Sequence, residues 1–150
     1  YMHVITDSNG NGALSDTIIN AQYDVLNAAF ASSGFSFVEA GRDVTANDVW
    51  YNMISGDEDS EYAAKRALRR GTGEDLNFYT AALADNLLGW ATFPNSYGST
   101  NAFRDGVVCA DFTLPGAGTG SFSLGDTGTH EVGHWCVMVM VMVMVMVVTF

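Results

Sequence analysis

Three residues near the end of the chain have the types and spacing of a metal site. His130 and His134 lie four residues apart, and Glu131 follows the first of them in the pentapeptide HEVGH. On a helix, positions four apart differ by about 40° around the axis, so both imidazoles can reach one ion. A carboxylate beside them can take a proton from a water near that ion. The pattern predicts a zinc site with His130 and His134 as ligands and Glu131 as the general base.

A zinc site of this kind needs a third protein ligand. No His, Asp or Glu follows His134. In the longer motif HExxHxxGxxH, Val137 stands at the glycine position and Met140 at the third-histidine position, and a thioether is a poor zinc ligand. His3 is the remaining histidine, and its place in an apolar first strand favours a core or edge role. We therefore expect an incomplete ligand set.

The composition excludes some classes of function. The chain has 150 residues, 48% of them hydrophobic, which fits one globular domain. Its 17 acidic residues outnumber its 6 basic ones, which argues against a nucleic-acid partner. The basic residues Lys65, Arg66, Arg69 and Arg70 form one short cluster, which we interpret as a solvated helix face. The two cysteines, Cys109 and Cys136, allow at most one internal disulfide, and Cys109 is expected to be a buried thiol.

Hydrophobic periodicity predicts an α/β fold with a mixed sheet. Strands are expected at 1–6, 35–41, 75–83, 87–94 and 105–115, and helices are expected from Asp16 to about Gly34, over 60–71, and from Gly125 or Asp126 onward.

The segment DSNGNGALS, 7–15, has two interpretations. Its first residues match the start of a calcium-binding EF-hand loop, but Ile18 occupies the position of the required bidentate acid. A tight turn between strand and helix is the favoured alternative.

The segment LLGWATFP, 87–94, contains Pro94, which suits an edge strand. Such a strand beside a metal cleft can pair with an extended peptide, so Gly89, Trp90 and Ala91 are candidate substrate-binding residues. An ordinary edge strand with Trp90 packed in the core is the other interpretation.

Four segments together resemble a known family, the pappalysin-type zinc metalloproteases of the metzincin clan, and in particular its secreted fungal members. They are HVITDSNGNGALSDTIINAQYDVLNAAF, LLGWATFP, DGVV and LGDTGTHEVGHW. The resemblance covers residues 1–135 and implies the N-terminal subdomain of a metzincin catalytic domain. That subdomain would be a twisted, mixed five-stranded sheet with an antiparallel edge strand, backing helices and an active-site helix.

The resemblance implies a zinc-dependent endopeptidase that is secreted and acts on extracellular proteins or peptides. His130 and His134 would bind zinc, Glu131 would be the base, and 89–91 would line the substrate cleft. Residues 136–150 would form a low-complexity Val/Met tail where the family has a C-terminal subdomain. The alternative is a non-catalytic or truncated relative that keeps the fold without a competent zinc site. A third hypothesis, a membrane anchor formed by the tail, is disfavoured because a span needs about 20 apolar residues.

Overall fold

The computed structural model describes residues 1–93 and 100–147, with side chains described as far as Cys136. Six strands are present in that part of the chain: β1 Met2–Thr6, β2 Arg42–Ala46, β3 Asn52–Met53, β4 Phe78–Leu83, β5 Gly89–Ala91 and β6 Val107–Ala110. The α-helices there are α1 Asp16–Phe30, α2 Asp48–Tyr51, α3 Ala63–Leu68 and α4 Asp126–Val147. A turn of π-helix, Glu58–Tyr62, leads directly into α3.

The main sheet has the order β2-β1-β4-β6-β5, and the short strand β3 pairs with the end of β4. All pairings are parallel except that of β5 with β6, which is antiparallel. The predicted mixed sheet with an antiparallel edge strand is therefore confirmed, and β3 is an addition to its five expected strands.

Side-chain alternation along the strands divides the core between the two faces of the sheet. Met2 and Val4 of β1 belong to the core cluster that also contains residues of α1 and α4. Ile5 belongs to the cluster on the opposite face of the sheet. The first cluster includes Val132 and Trp135 from α4, so this helix is packed on the sheet by its own apolar face. Both α1 and α4 thus pack on the same face of the sheet.

The strand predicted at 35–41 is wrong, because the second strand is β2, at 42–46. The backbone N–H of Phe37 donates to Asn27 Oδ1 at 2.7 Å, and Asn27 Nδ2 donates to the Phe37 carbonyl at 3.0 Å. These bonds tie segment 35–41 to α1 instead of to a neighbouring strand. Phe37 packs against the first core cluster, whereas Val38 is 85% exposed.

The interpretation of the basic cluster as a solvated face is wrong for two of its four members. The side chains of Arg66 and Arg70 are 47% and 56% exposed, but those of Lys65 and Arg69 are 0% and 13% exposed. Lys65 and Arg69 lie four residues apart, so the helical repeat turns both toward the sheet. Buried acids pair with each of them, Glu61 at 2.7 Å and Asp105 at 3.3 Å.

The segment 7–15 forms the turn that was the favoured alternative to a calcium loop. Asp7 Oδ1 accepts the backbone N–H groups of Asn9 and Asn11, at 2.9 and 2.8 Å. Ser15 then caps α1, because its hydroxyl accepts the N–H of Ile18. The predicted start of α1 at Asp16 is confirmed.

The backbone of the Val/Met tail continues α4 as far as Val147, and residues 148–150 lie outside the described part of the chain. Among the residues whose side chains are described, 1–93 and 100–136, no helix is long and apolar enough to cross a bilayer.

Candidate metal centre

The helix that carries HEVGH begins at a position fixed by its neighbours. Gly125, with φ +86°, precedes Asp126, and the buried Gln22 of α1 donates to the Gly125 carbonyl at 3.1 Å. A Cβ at Gly128 would lie 2.9 Å from Gln22 Nε2, so the absence of a side chain there lets α1 and α4 approach closely. Helix α4, hereafter the metal helix, is thereby held with Val132 in the core and His130 toward solvent.

His130 and His134 are brought together as predicted. Their Nε2 atoms lie 3.0 Å apart, and the two rings are nearly perpendicular, at 88°. Two ligands of a tetrahedral zinc at 2.0–2.1 Å would be roughly 3.3 Å apart, so the observed spacing fits a shared ion. Zinc or another borderline metal that accepts imidazole suits these donors.

Within the part of the chain whose side chains are described, these two histidines are the donors that the structure brings together. Among residues 1–93 and 100–136, no group of three or more His, Cys, Asp and Glu side chains could hold a metal. Val137 and Met140, which stand at the glycine and third-histidine positions of the longer motif, have side chains outside the described set.

His3 is a core histidine, which confirms the favoured prediction. It is fully buried, with Nδ1 2.9 Å from Asp43 Oδ2 and Nε2 3.0 Å from Asn77 Oδ1. Its ring stacks on that of Tyr79 with centroids 4.7 Å apart. Both nitrogens are thus engaged within the protein, and burial lowers the pKa of His3 despite the opposing effects of Asn77 and Asp43.

Glu131 is 9% exposed and lies between the metal helix and the sheet. Its burial raises the pKa of the carboxyl group, and the neighbouring His130 and His134 partly oppose that rise. The negative charge of Glu131 adds to burial in raising the pKa of the Cys109 thiol, which is fully buried in β6. Cys109 is thus the buried thiol that the sequence predicts, and both it and Cys136 are free.

Strand β5 lies at the edge of the sheet and packs directly on the metal helix. A Cβ at Gly89 would lie 3.0 Å from Glu131 Cγ and 3.2 Å from Thr127 Cγ2, so the helix contacts the bare backbone of the strand. Ala91 packs on the cluster that contains Val132, whereas Trp90 packs on the cluster of the opposite face. The expected edge strand is therefore present. Its placement is compatible with both interpretations of this strand: an ordinary edge strand with Trp90 packed in the core, or the edge of a substrate cleft.

Sequence reasoning missed two contacts near the histidine pair, one made by His134 and one made by the neighbouring Trp135. The Phe93 ring lies edge-on to His134, with centroids 5.4 Å apart. Trp135 donates its indole N–H to the buried Asp105 at 2.8 Å, directly beside His134 in the chain. Phe93 follows a recognised edge strand, so its proximity could have been inferred, but no local pattern links Asp105 to a helix thirty residues later.

The chain is similar to fungal extracellular metalloproteases over most of its length. It is 47% identical over 141 residues to an extracellular metalloprotease of Verticillium alfalfae and 45% identical over 139 residues to one of Podospora anserina. Each alignment covers 90% of this chain, but 48% and 46% of the relatives, so the chain spans about half the length of the curated relatives it matches. No protein-family model matches the chain.

Solved structures with the same fold include mirolysin of Tannerella forsythia. Mature mirolysin in complex with a cleaved peptide superposes with a TM-score of 0.70 at 25% identity, covering 89% of this chain and 60% of that one. Mirolysin in complex with compound 9 gives a TM-score of 0.72 at the same identity and coverage. The chain therefore shares the mixed α/β fold of mirolysin, and its sequence is similar to extracellular metalloproteases of fungi.

Proposed function

We propose that residues 1–135 of this chain form the zinc-binding N-terminal subdomain of a secreted pappalysin-type metzincin endopeptidase. The observation that carries the proposal is the pair of imidazole Nε2 atoms 3.0 Å apart, beside a buried carboxylate, Glu131, that packs against the edge strand β5. The extracellular metalloproteases of Verticillium alfalfae and Podospora anserina support both the peptidase activity and the secretion. The cleaved peptide in the mirolysin complex supports a protein or peptide substrate.

His130 and His134 would hold the zinc, each through Nε2. When bound, zinc would act as a Lewis acid on the peptide carbonyl and on the attacking water. Glu131 would accept the proton of that water and then deliver it to the departing amine, as a general base and acid. Its buried position favours this role, because burial raises the pKa of the carboxyl group and so makes it a stronger base.

Strand β5, which contains Gly89, Trp90 and Ala91, would bind an extended substrate, with the backbone groups of Gly89 and Ala91 making the hydrogen bonds. Thr92 N–H donates to the Gly106 carbonyl at 3.0 Å, and Ala110 N–H donates to the Leu88 carbonyl at 2.8 Å. Since hydrogen-bonded positions alternate along an antiparallel pair, the backbone groups of Gly89 and Ala91 point away from β6. In the described part of the chain no strand occupies that side of β5, so these groups are available to pair with a peptide.

The proposal is tested by measuring hydrolysis of fluorescein-labelled casein by the zinc-supplemented chain. We expect cleavage that a chelator abolishes and zinc restores. The variant His130→Ala should lose both zinc and cleavage, because a single imidazole cannot hold the ion. Gly133→Ala is the matched control on the same helix, since its added Cβ would meet no atom within 4 Å. Cleavage that persists unchanged in His130→Ala would overturn the proposal.

A further inference from the structure

Helix α3 and the residue that follows it carry two buried cations one turn apart, which the proposed chemistry does not use. They are Lys65 and Arg69, and the backbone N–H of Arg69 donates to the backbone carbonyl of Lys65 at 3.0 Å. Each is paired with an acid that comes from a different segment: Glu61 of the π-helical turn and Asp105 before β6. The side chains of both acids are 5% exposed. We call these two ion pairs, Glu61–Lys65 and Arg69–Asp105, the clamp.

The first ion pair of the clamp is bonded to the edge strand. The indole N–H of Trp90 donates to Glu61 Oε1 at 2.9 Å, the same oxygen that lies 2.7 Å from Lys65 Nζ. Lys65 Nζ also donates to the Arg104 carbonyl at 2.7 Å and to Thr92 Oγ1 at 3.3 Å. An ammonium group has three N–H donors, and Glu61, Thr92 and the Arg104 carbonyl accept one each. Thr92 directly follows the last residue of the edge strand, Ala91.

The second ion pair of the clamp is bonded to the metal helix. Trp135 Nε1 donates to Asp105 Oδ1 at 2.8 Å, while Arg69 approaches the other oxygen, Oδ2, at 3.3 Å. Trp135 is 6% exposed and directly follows His134. Rotation of the metal helix about its axis would break this bond, so the bond fixes the direction in which His130 and His134 point.

We propose that the clamp positions the two walls of the candidate cleft, with Glu61–Lys65 holding the edge strand through Trp90 and Arg69–Asp105 holding the metal helix through Trp135. Its catalytic consequence rests on the proposed function, but its structural part does not. Both ion pairs of the clamp include a cation from the short segment 65–69. This segment belongs to the face of the sheet opposite the metal helix, so we propose that the distance between edge strand and metal helix is held from that opposite face. None of the four charged residues touches the histidine pair, and they are therefore positioning residues.

Energetics favour a positioning role over a role in stability alone. A buried ion pair gains little over apolar residues of the same volume, because desolvating the two charges offsets their attraction. Hydrogen bonds to a charged acceptor are shorter and more directional than neutral ones. Two such bonds, from Trp90 and Trp135, are a precise way to orient a strand and a helix, and misplacement of a reacting group by about 1 Å can cost of order 100-fold in rate.

The strand-to-helix spacing is tested by NMR on the full 150-residue chain. The probe is the nuclear Overhauser cross-peak between the Gly89 α-protons and the Thr127 methyl group, which are in contact across β5 and the metal helix. Trp90→Phe and Trp135→Phe each remove one indole N–H and keep an aromatic ring. Functional sites are held to within about 0.5 Å. An increase of about that size in the distance between the two groups of protons lowers the cross-peak intensity roughly twofold. We expect at least this loss of intensity in both variants.

Trp50→Phe is the matched control, because Trp50 packs on the same cluster as Trp90 and makes no indole hydrogen bond to a described residue. An unchanged cross-peak in both clamp variants, or an equal loss in Trp50→Phe, would overturn the proposal. If Trp90→Phe fails to fold, the double variant Glu61→Gln/Lys65→Met replaces it, since it removes the ion pair without leaving one charge buried alone. A loss of global stability by itself does not change this spacing in the folded state, so the cross-peak separates positioning from stability.

Casein hydrolysis supplies the catalytic readout. Trp90→Phe is expected to raise KM roughly tenfold, the value of a hydrogen bond to a charged group, with little change in kcat, because the edge strand binds substrate. An unchanged KM in this variant would contradict the catalytic consequence of the clamp. If the wild-type chain does not cleave casein, the proposed function fails, and the cross-peak comparison still decides whether the clamp sets the spacing.

Discussion

Glu131 packs against the bare backbone of Gly89, because a Cβ at Gly89 would lie 3.0 Å from Glu131 Cγ and 2.8 Å from the Val108 carbonyl oxygen. The edge strand and the metal helix are thus as close as a glycine permits. This contact places the candidate general base directly beside the backbone that would bind a peptide. The missing side chain therefore permits this close approach of strand and helix.

Gly89→Ala should destabilise the fold and displace Glu131. The added methyl group meets backbone that cannot move freely, and overpacking of this kind costs about 1–3 kcal/mol. Chemical denaturation measures the change in the free energy of unfolding. Gly133→Ala, on the exposed side of the same helix, is the control and should gain about 0.5–1 kcal/mol from helix propensity. Equal effects of the two substitutions would contradict the close contact at Gly89.

Glu131 should titrate above the ordinary glutamic acid pKa of about 4.3 in the metal-free chain. Burial disfavours the carboxylate and raises its pKa, while the two histidines partly oppose this. Because the folded-state pKa is raised, the contribution of Glu131 to stability is fully present below about pH 4.3 and is lost as the pH rises through the folded-state pKa. Carbon-13 NMR of the labelled carboxyl group measures the midpoint. A midpoint at or below the ordinary value would contradict the buried placement.

Breaking the Glu61–Lys65 pair from one side should be far more costly than removing both partners. Lys65→Met leaves the Glu61 carboxylate buried without its cation, which should cost about 3–5 kcal/mol. The double variant Glu61→Gln/Lys65→Met leaves no unpaired charge and should recover most of that loss. Urea denaturation of both single variants and the double variant gives the coupling energy. Additive effects, with no recovery in the double variant, would show that the two side chains do not form a buried pair.

The sequence predicted the fold well where local signals agree with the tertiary structure. Ser15 caps the first helix as expected, and Gly34 ends the 3-10 turn 31–33 that follows this helix. The apolar runs of β1 and β6 are fully buried strands. Segment 35–41 was mistaken for a strand, because its alternation is real but Asn27 takes its backbone hydrogen bonds. Periodicity reports a side-chain pattern and cannot show which partner the backbone finds.

At the candidate site, the sequence identified the residues that act through their spacing within one helix. His130 and His134 need only the helical repeat to meet, and their Nε2 atoms do. The clamp could not be foreseen, because Trp90, Asp105 and Trp135 lie far along the chain from Glu61, Lys65 and Arg69, and the cations had the composition of a solvated face. The i,i+4 spacing allows Glu61 and Lys65 to pair, but their burial depends on what the fold packs around them, which this spacing does not encode.

The central claim is that HEVGH binds zinc and that Glu131 acts on the water beside it. The most direct measurement compares zinc content and casein hydrolysis in wild type and Glu131→Gln, a substitution of nearly equal volume that cannot accept the proton. We predict that Glu131→Gln retains about one zinc per chain and loses hydrolysis by at least the roughly 100-fold that general-base catalysis contributes. Full hydrolysis in Glu131→Gln, or a wild-type chain that binds no zinc, would contradict the account.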